Sequence, residues 1–300
     1  VGASVFGGVE SDKIYLNDAT LWSGEPVDPN MNPEAYKNIP AIREALKNED
    51  YKLADELQKK VQGKFSESYA PLGTMFIDFK TEGKPQKYYR ELDISNAIST
   101  VEYEVDGVKY TREYFVSHPD KVFVIRLTGD KKGKLNFDIR FESQLKYKTT
   151  AAANVLSANG YAPIVALPGY LGDRENAVVF VEGKGTRFST LISIQNTNGE
   201  VVQTENTLGV KNATEVVILV SISTSFNGFD KNPATEGLDN EAIAQEQLKN
   251  ASTKNFKQLK STHIADYQSF YNRVELNLGK TTAPDLPTNE RLKRYAEGKD

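Results

Sequence analysis

A chain of 300 residues with 39% hydrophobic side chains is long enough to bury a sizeable core, as one large domain or two ordinary ones. Its 37 basic and 41 acidic residues leave a formal charge of −4 with no basic stripe, which argues against nucleic acid and anionic membrane surfaces as partners. The lack of cysteine excludes disulfide frameworks, thiolate zinc sites and cysteine nucleophiles, and no stretch reaches the roughly 18 to 20 apolar residues of a membrane span.

The opening run VGASVFGGVE holds neither the basic start nor the long apolar stretch of a signal peptide. Because it begins directly on a strand-like run, the sequence reads as cut from a longer parent. The stretch IYLNDATLWSG, residues 14 to 24, then changes character: Ile14 to Leu16 continue a strand, and Asn17, Asp18, Thr20 and Ser23 surround Trp22, the only tryptophan. Asn and Asp side chains bond nearby backbone in turns, so an ordered loop is predicted. Trp22 has two readings: packing on the sandwich or a neighbouring domain, the commoner fate of tryptophan, or a place on a sugar-facing surface. Asn17, Asp18, Thr20, Trp22 and Ser23 are therefore the candidate residues of this loop.

A helical excursion is predicted near residues 32 to 63, with Asn32 as cap, Pro33 in the first turn, and a segment from Glu49 carrying Leu53, Leu57 and Val61 at fourfold spacing up to Gly63. Strands follow. Val101, Tyr103 and Val105 alternate up to the hairpin signal Asp106-Gly107, and Val108, Tyr110, Arg112, Tyr114 and Val116 lead away from it. Leu135, Phe137, Ile139 and Phe141 point inward while Asn136, Asp138, Arg140 and Glu142 face water. The continuous apolar runs KVFVIRLTG and EVVILVSIS read as strands buried between two sheets. GYAPIVALPGYLGDREN, residues 160 to 176, shows no strand period and reads as a long ordered or functional loop. Late in the chain Asp239 caps a helix running to about Asn250, and Phe256, Leu259, His263, Tyr267 and Phe270 mark one face of another, of which Phe256, Leu259, His263 and Phe270 are expected to be largely buried. The polar, proline-containing end reads as a linker that starts a further helix at NERLKRYAEG. The predicted fold is mainly β: a large antiparallel β-sandwich with an early helical excursion and helices at the C-terminal end.

No catalytic constellation stands out. GKGTR, residues 183 to 187, lacks the third glycine and Lys-Ser/Thr end of a phosphate loop and reads as a turn between strands. His118 falls in a strand-end turn, His263 reads as a buried imidazole hydrogen-bonded to a neighbour, and no pair of carboxylates separates itself from the caps and turns. No metal site or cofactor is expected.

Six phrases nonetheless run in one order through the chain: GASVFGGVESDKIYLNDATLWSG (2 to 24), YAPLG (69 to 73), YRELDISNAISTVEY (89 to 103), GVKYTREYFVSHPDKVFVIRL (107 to 127), GTRF (185 to 188) and HIADYQSFYNRVELNLG (263 to 279). Together they resemble the N-terminal domain of glycoside hydrolase family 95, the inverting α-L-fucosidases and their α-L-galactosidase relatives; GYAP and TSFNGFDKNP are similar to members from gut-type bacteria. The resemblance implies a β-sandwich followed by a helical linker, a catalytic (α/α)6 barrel and a small β-domain. The barrel would supply a glutamate general acid and an Asn/Asp group activating water. None of its motifs lies in this chain, and the GNGRL that opens the family's sandwich is missing. No catalytic residue is therefore carried over; the resemblance implies instead that the loop of Asn17, Asp18, Thr20, Trp22 and Ser23 is a substrate-rim or interdomain loop, with the indole partly exposed. The resemblance implies residues 1 to 279 as the sandwich domain and 280 to 300 as the start of the linker, its own barrel domain and a carbohydrate substrate as partners, and a periplasmic or secreted location. A sugar-binding module without hydrolytic role is the alternative.

Overall fold

The computed structural model describes residues 1–63, 66–277, 279 and 285–299. Gly2–Val5 (β1) and Ser11–Asn17 (β2) form the first hairpin, and the chain then leaves the sheet for Ile39–Lys47 (α1) and Tyr51–Gln58 (α2). It returns as Gly73–Phe79 (β3) and meanders through Gln86–Asp93 (β4), Ile98–Val105 (β5), Val108–Ser117 (β6) and Val122–Gly129 (β7). Leu135–Glu142 (β8) precedes the hairpin of Lys146–Ala152 (β9) and Val155–Tyr161 (β10), and Val165–Ala166 (β11) pairs with Val178–Val179 (β12). Arg187–Thr197 (β13), Glu200–Gln203 (β14), Leu208–Ala213 (β15) and Glu215–Thr224 (β16) complete the strands. Asn240–Ser252 (α3), Phe256–Tyr271 (α4) and Thr288–Ala296 (α5) follow. None of the described helices is long and apolar enough to cross a membrane.

The strands form a six-stranded sheet, β1-β2-β3-β8-β15-β14, facing an eight-stranded sheet, β4-β5-β6-β7-β16-β13-β10-β9. Pairing is antiparallel throughout, and the local patterns show why. β8 alternates as read, burying Leu135, Phe137, Ile139 and Phe141 against residues of the other sheet such as Phe123 and Ile218. Asp106 and Gly107 take φ of 49° and 70°, the left-handed pair that a two-residue hairpin demands, and set Val105 opposite Val108. β7 and β16 are buried on both faces, but not between two sheets. Their Phe123, Ile125, Val216 and Ile218 enter the sandwich core, while Val122, Val124, Val217 and Leu219 lie under Ala244, Leu248 and Ala251 of α3 and Leu259 of α4. A run of apolar residues signals two covered faces and is silent on what covers them.

The early excursion departs from its predicted start. Asn32 caps no helix; its Nδ2 donates to the carbonyls of Lys60 and Gln62 at 3.1 and 2.9 Å, closing the neck of the excursion. Pro40, not Pro33, occupies the first turn of α1, and Asp50 caps α2 by accepting from the Leu53 N–H. The pair buries only Ala45 and Ala54, and Tyr36, Leu46 and Tyr51 stay about half exposed or more.

The late helices dock as their caps suggest. Asp239 accepts from Ala242 N at 3.0 Å, and Asn255 with Gln258 forms a reciprocal capping box. Phe256, Leu259 and His263 are buried, but Phe270 is 63% exposed, contrary to expectation. It lies one turn beyond the helical residues Tyr267 and Gln268 that bond the β4–β5 turn at Ile94, Ser95 and Asn96. That turn is built on Asp93, whose carboxylate accepts from the Ser95 hydroxyl and the Asn96 amide, bonds that hold it low at about 2. The His263 Nε2–H donates to the carbonyls of Asn96 and Ala97 at 3.0 and 3.1 Å, and the ring stacks on Phe115 at 4.8 Å. α5 is formed at NERLKRYA and exposes Leu292 and Tyr295, while residues 280–284 of the expected linker lie outside the described residues.

One charged group crosses the core. Arg112 of β6, 1% exposed, donates through Nη1 to Gly8 O at 2.7 Å and through Nη2 to Val9 O at 3.2 Å, both in the turn between β1 and β2. It also donates to the Tyr103 hydroxyl and lies 3.5 Å from Asp12, whose carboxylate accepts from Tyr114 at 2.5 Å and from Gly7 N at 2.8 Å. The guanidinium is held between the rings of Phe79 and Tyr103. Burial pushes the Asp12 carboxyl up against the pull of Arg112 and Tyr114, and burial likewise lifts the Tyr103 and Tyr114 phenols, which stay protonated.

Candidate functional site

Residues 17 to 24 form an ordered loop at one end of the sandwich. Asn17 closes β2 opposite Gly2. The Asp18 Oδ1 accepts from the Thr20 N–H at 3.0 Å and hydroxyl at 2.6 Å, an Asx turn reinforced by Leu21 N to Asp18 O. The Thr20 hydroxyl meets that of Thr224 at 2.5 Å, seating the loop on the end of β16. Leu21 is wholly buried and anchors the loop, whereas Trp22 is 44% exposed. Its Nε1–H is satisfied within the loop by Ala19 O at 2.9 Å, and its ring meets Tyr69 edge-on at 5.5 Å. The Tyr69 phenol is raised by partial burial and by the nearby Asp18 charge. Ser23 is buried, its hydroxyl donating to Glu67 Oε2 and accepting from Ser68 N, both at 2.9 Å. At Gly24, φ is 88°, a left-handed backbone conformation that strains residues bearing a side chain and favours glycine.

The five predicted residues thus belong to one loop, and the fold brings four more phrases to it. Ala70 N donates to Leu21 O, Gly24 N to Pro163 O, and the Ser68 hydroxyl to Ala166 O. Ala162 N bonds Thr186 O, and Arg187 donates to Ala234 O at 2.7 Å, pinning the segment after β16. Asn232 completes the ring by donating to Glu25 at 3.1 Å. The segment 160 to 176 is therefore not structureless: it carries the end of β10, β11, which pairs with β12 just beyond it, and one 3-10 turn at Gly169–Leu171, elements too short to show a period. GKGTR is a turn into β13, with Gly183 and Gly185 both at positive φ. Tyr69, Glu67 and Thr224 escape sequence reasoning because they meet Trp22, Ser23 and Thr20 only through tertiary structure.

The carboxylates here hold the loops in place: Asp18 in its Asx turn, Glu67 on Ser23, Glu25 on Asn232. His263 spends its N–H on backbone carbonyls, and Asp266, three residues on, instead lies 3.6 Å from the exposed His118. Among the described residues no group of three His, Asp or Glu side chains converges on a point where a metal would sit.

Residues 1–228 match the family model for the glycosyl hydrolase family 65 N-terminal domain, and residues 255–300 match that for the glycosyl hydrolase family 95 catalytic domain. The chain is 28% identical over 314 residues to Alpha-L-fucosidase 2 of Arabidopsis thaliana, covering all of this chain and 37% of that one. It is 26% identical over 316 residues to Probable alpha-fucosidase A of Aspergillus niger, covering all of this chain and 38% of that one. It therefore spans well under half the length of these curated relatives. A solved structure titled putative kojibiose phosphorylase from human microbiome superposes over 89% of this chain and 35% of that one, at 9% identity and a TM-score of 0.48. With three-quarters of its residues in the first match, the chain belongs to the glycosyl hydrolase N-terminal domains of the family 65 model, and from residue 255 it enters the family 95 catalytic match.

Proposed function

We propose that the chain is the non-catalytic N-terminal domain of an inverting α-L-fucosidase-like hydrolase acting on fucosylated glycans, and that its Trp22 loop faces a catalytic (α/α)6 domain near the active-site rim. The observation carrying this reading is a rigidly held indole that is 44% exposed although its N–H is already bonded within the loop. Such an aromatic has apolar surface to offer a partner and no internal need left to meet. The exposed Tyr36, Leu46 and Tyr51 of the excursion that follows the loop support the same conclusion. The fucosidase names of the relatives support the substrate class. Glycoside inversion requires an acid and a base flanking a sugar, and the carboxylates at this end are already bound to loop partners. The test is turnover of 4-nitrophenyl α-L-fucoside by this chain and by a polypeptide extending beyond residue 300. The chain alone is expected to stay at the buffer blank while the longer protein releases β-fucose first. Turnover by the chain alone would place a catalytic site within it and overturn the reading.

A further inference from the structure

Four aromatic rings stand in two edge-on pairs along the six-stranded sheet and its loop end. Phe6 meets Tyr15 at 4.9 Å and Trp22 meets Tyr69 at 5.5 Å, and each ring is between 39% and 44% exposed. Tyr15 and Tyr69 line one open cavity of about 670 Å³, whose wall also carries Asn17, Thr74, Glu142 and Gln144. The register explains this. The outward positions of β2 set Tyr15 opposite Thr74 of β3, and Thr74 opposite Glu142 of β8. Glu142 is paired with Arg140, whose guanidinium stacks 3.8 Å over Phe76. The ammonium of Lys13 lies 5.5 Å from the centroid of Tyr15. The groove is therefore close to neutral. Among the described residues, none bonds to the side chains of Asn17, Thr74 or Gln144, so amide and hydroxyl groups stand ready beside exposed rings.

This combination narrows the ligand. An apolar partner would bury those amides without hydrogen bonds, which is costly. An anionic ligand would find Lys13 alone, with Glu142 beside it. A sugar presents apolar C–H faces to rings and hydroxyls to amides, the mixture of apolar wall and few polar groups that fixes small ligands. We propose that this groove binds a neutral oligosaccharide, with Tyr15 and Tyr69 as ring platforms and Asn17, Thr74 and Gln144 as hydroxyl partners. The proposal does not rest on the hydrolytic reading above, because it concerns binding by this chain alone.

The experiment is calorimetric titration of the chain with 2′-fucosyllactose, cellotetraose and the anionic trigalacturonate, with Trp22 emission followed in parallel. Saturable binding of at least one neutral probe is expected, at a Kd of about 1 mM or tighter. Tyr15→Ala and Asn17→Ala, each checked for an unchanged melting temperature, should weaken it at least about tenfold, a loss of roughly 1.4 kcal/mol. No saturable heat from either neutral probe, trigalacturonate binding as tightly, or binding that both variants leave intact would overturn the proposal. Self-association of the chain abolished by Tyr15→Ala, without heat from any sugar, would make the groove a contact between copies and overturn it equally.

Discussion

Replacing Arg112 with alanine is expected to lower the stability of the chain by about 3 to 5 kcal/mol, as for other buried ion pairs that lose one partner. The guanidinium is 1% exposed and answers the Gly8 and Val9 carbonyls, the Tyr103 hydroxyl and Asp12 at once. Alanine leaves a wholly buried Asp12 carboxylate without its cation and a hole between Phe79 and Tyr103. Burial already pushes Asp12 up, and without Arg112 the push is unopposed from that side. A group whose folded pKa is raised contributes stability below its unfolded value and loses it as pH rises through the folded one. The deficit of Arg112→Ala should therefore be largest near neutral pH and shrink as the pH falls through the raised folded value of Asp12 to below about 4, where the carboxyl becomes protonated in the unfolded chain as well. Tyr103→Phe, which removes one acceptor, should cost only about 1 kcal/mol. Urea midpoints at two pH values decide the matter; an Arg112→Ala midpoint equal to that of the parent at neutral pH would show the clamp to be dispensable.

Leu259→Ala should cost about 2 to 5 kcal/mol, whereas Phe270→Ala should change stability by no more than about 0.5 kcal/mol. Both residues lie on the face of α4 that approaches the sheet. Leu259 is 1% exposed among Val217, Phe256 and Ala251, and its loss leaves a cavity that rigid strands cannot close. Phe270, 63% exposed, has little to lose. The α3–α4 corner is held separately by Lys254, which reaches the buried Asp120 at 2.5 Å, so the helix should stay docked in Leu259→Ala and the cost should appear as lost packing. Equal urea midpoints for the two variants would mean that α4 is not packed as described.

The contrast between these two positions shows what a sequence carries. Alternation along β8 and the left-handed pair at Asp106 and Gly107 are local properties, legible because each residue's own chemistry dictates them. The placement of β8 between β3 and β15 leaves no such mark, nor does the exposure of Phe270 on a face whose earlier residues are buried. At the candidate site the Asx turn of Asp18 follows from residue type, and the exposed Trp22 agrees with the expectation for that loop. Tyr69, Glu67 and Thr224 come from distant segments and could be reached only through the fold. Arg112 is the least legible of all. Alternation places it on the inward face of β6 beside Tyr110 and Tyr114, and a charge there contradicts the pattern until Asp12 and the β1–β2 carbonyls come into view.

In the function proposed, the loop end of the sandwich is a face that a catalytic domain covers. Trp22, as the only tryptophan, reports on that face without labelling. Its fluorescence should be readily quenched by acrylamide in the isolated chain, as a 44% exposed indole requires, and several-fold less in a longer polypeptide that includes the proposed catalytic domain. Equal quenching in the two proteins would leave the Trp22 face open to water in the longer one and contradict the assignment.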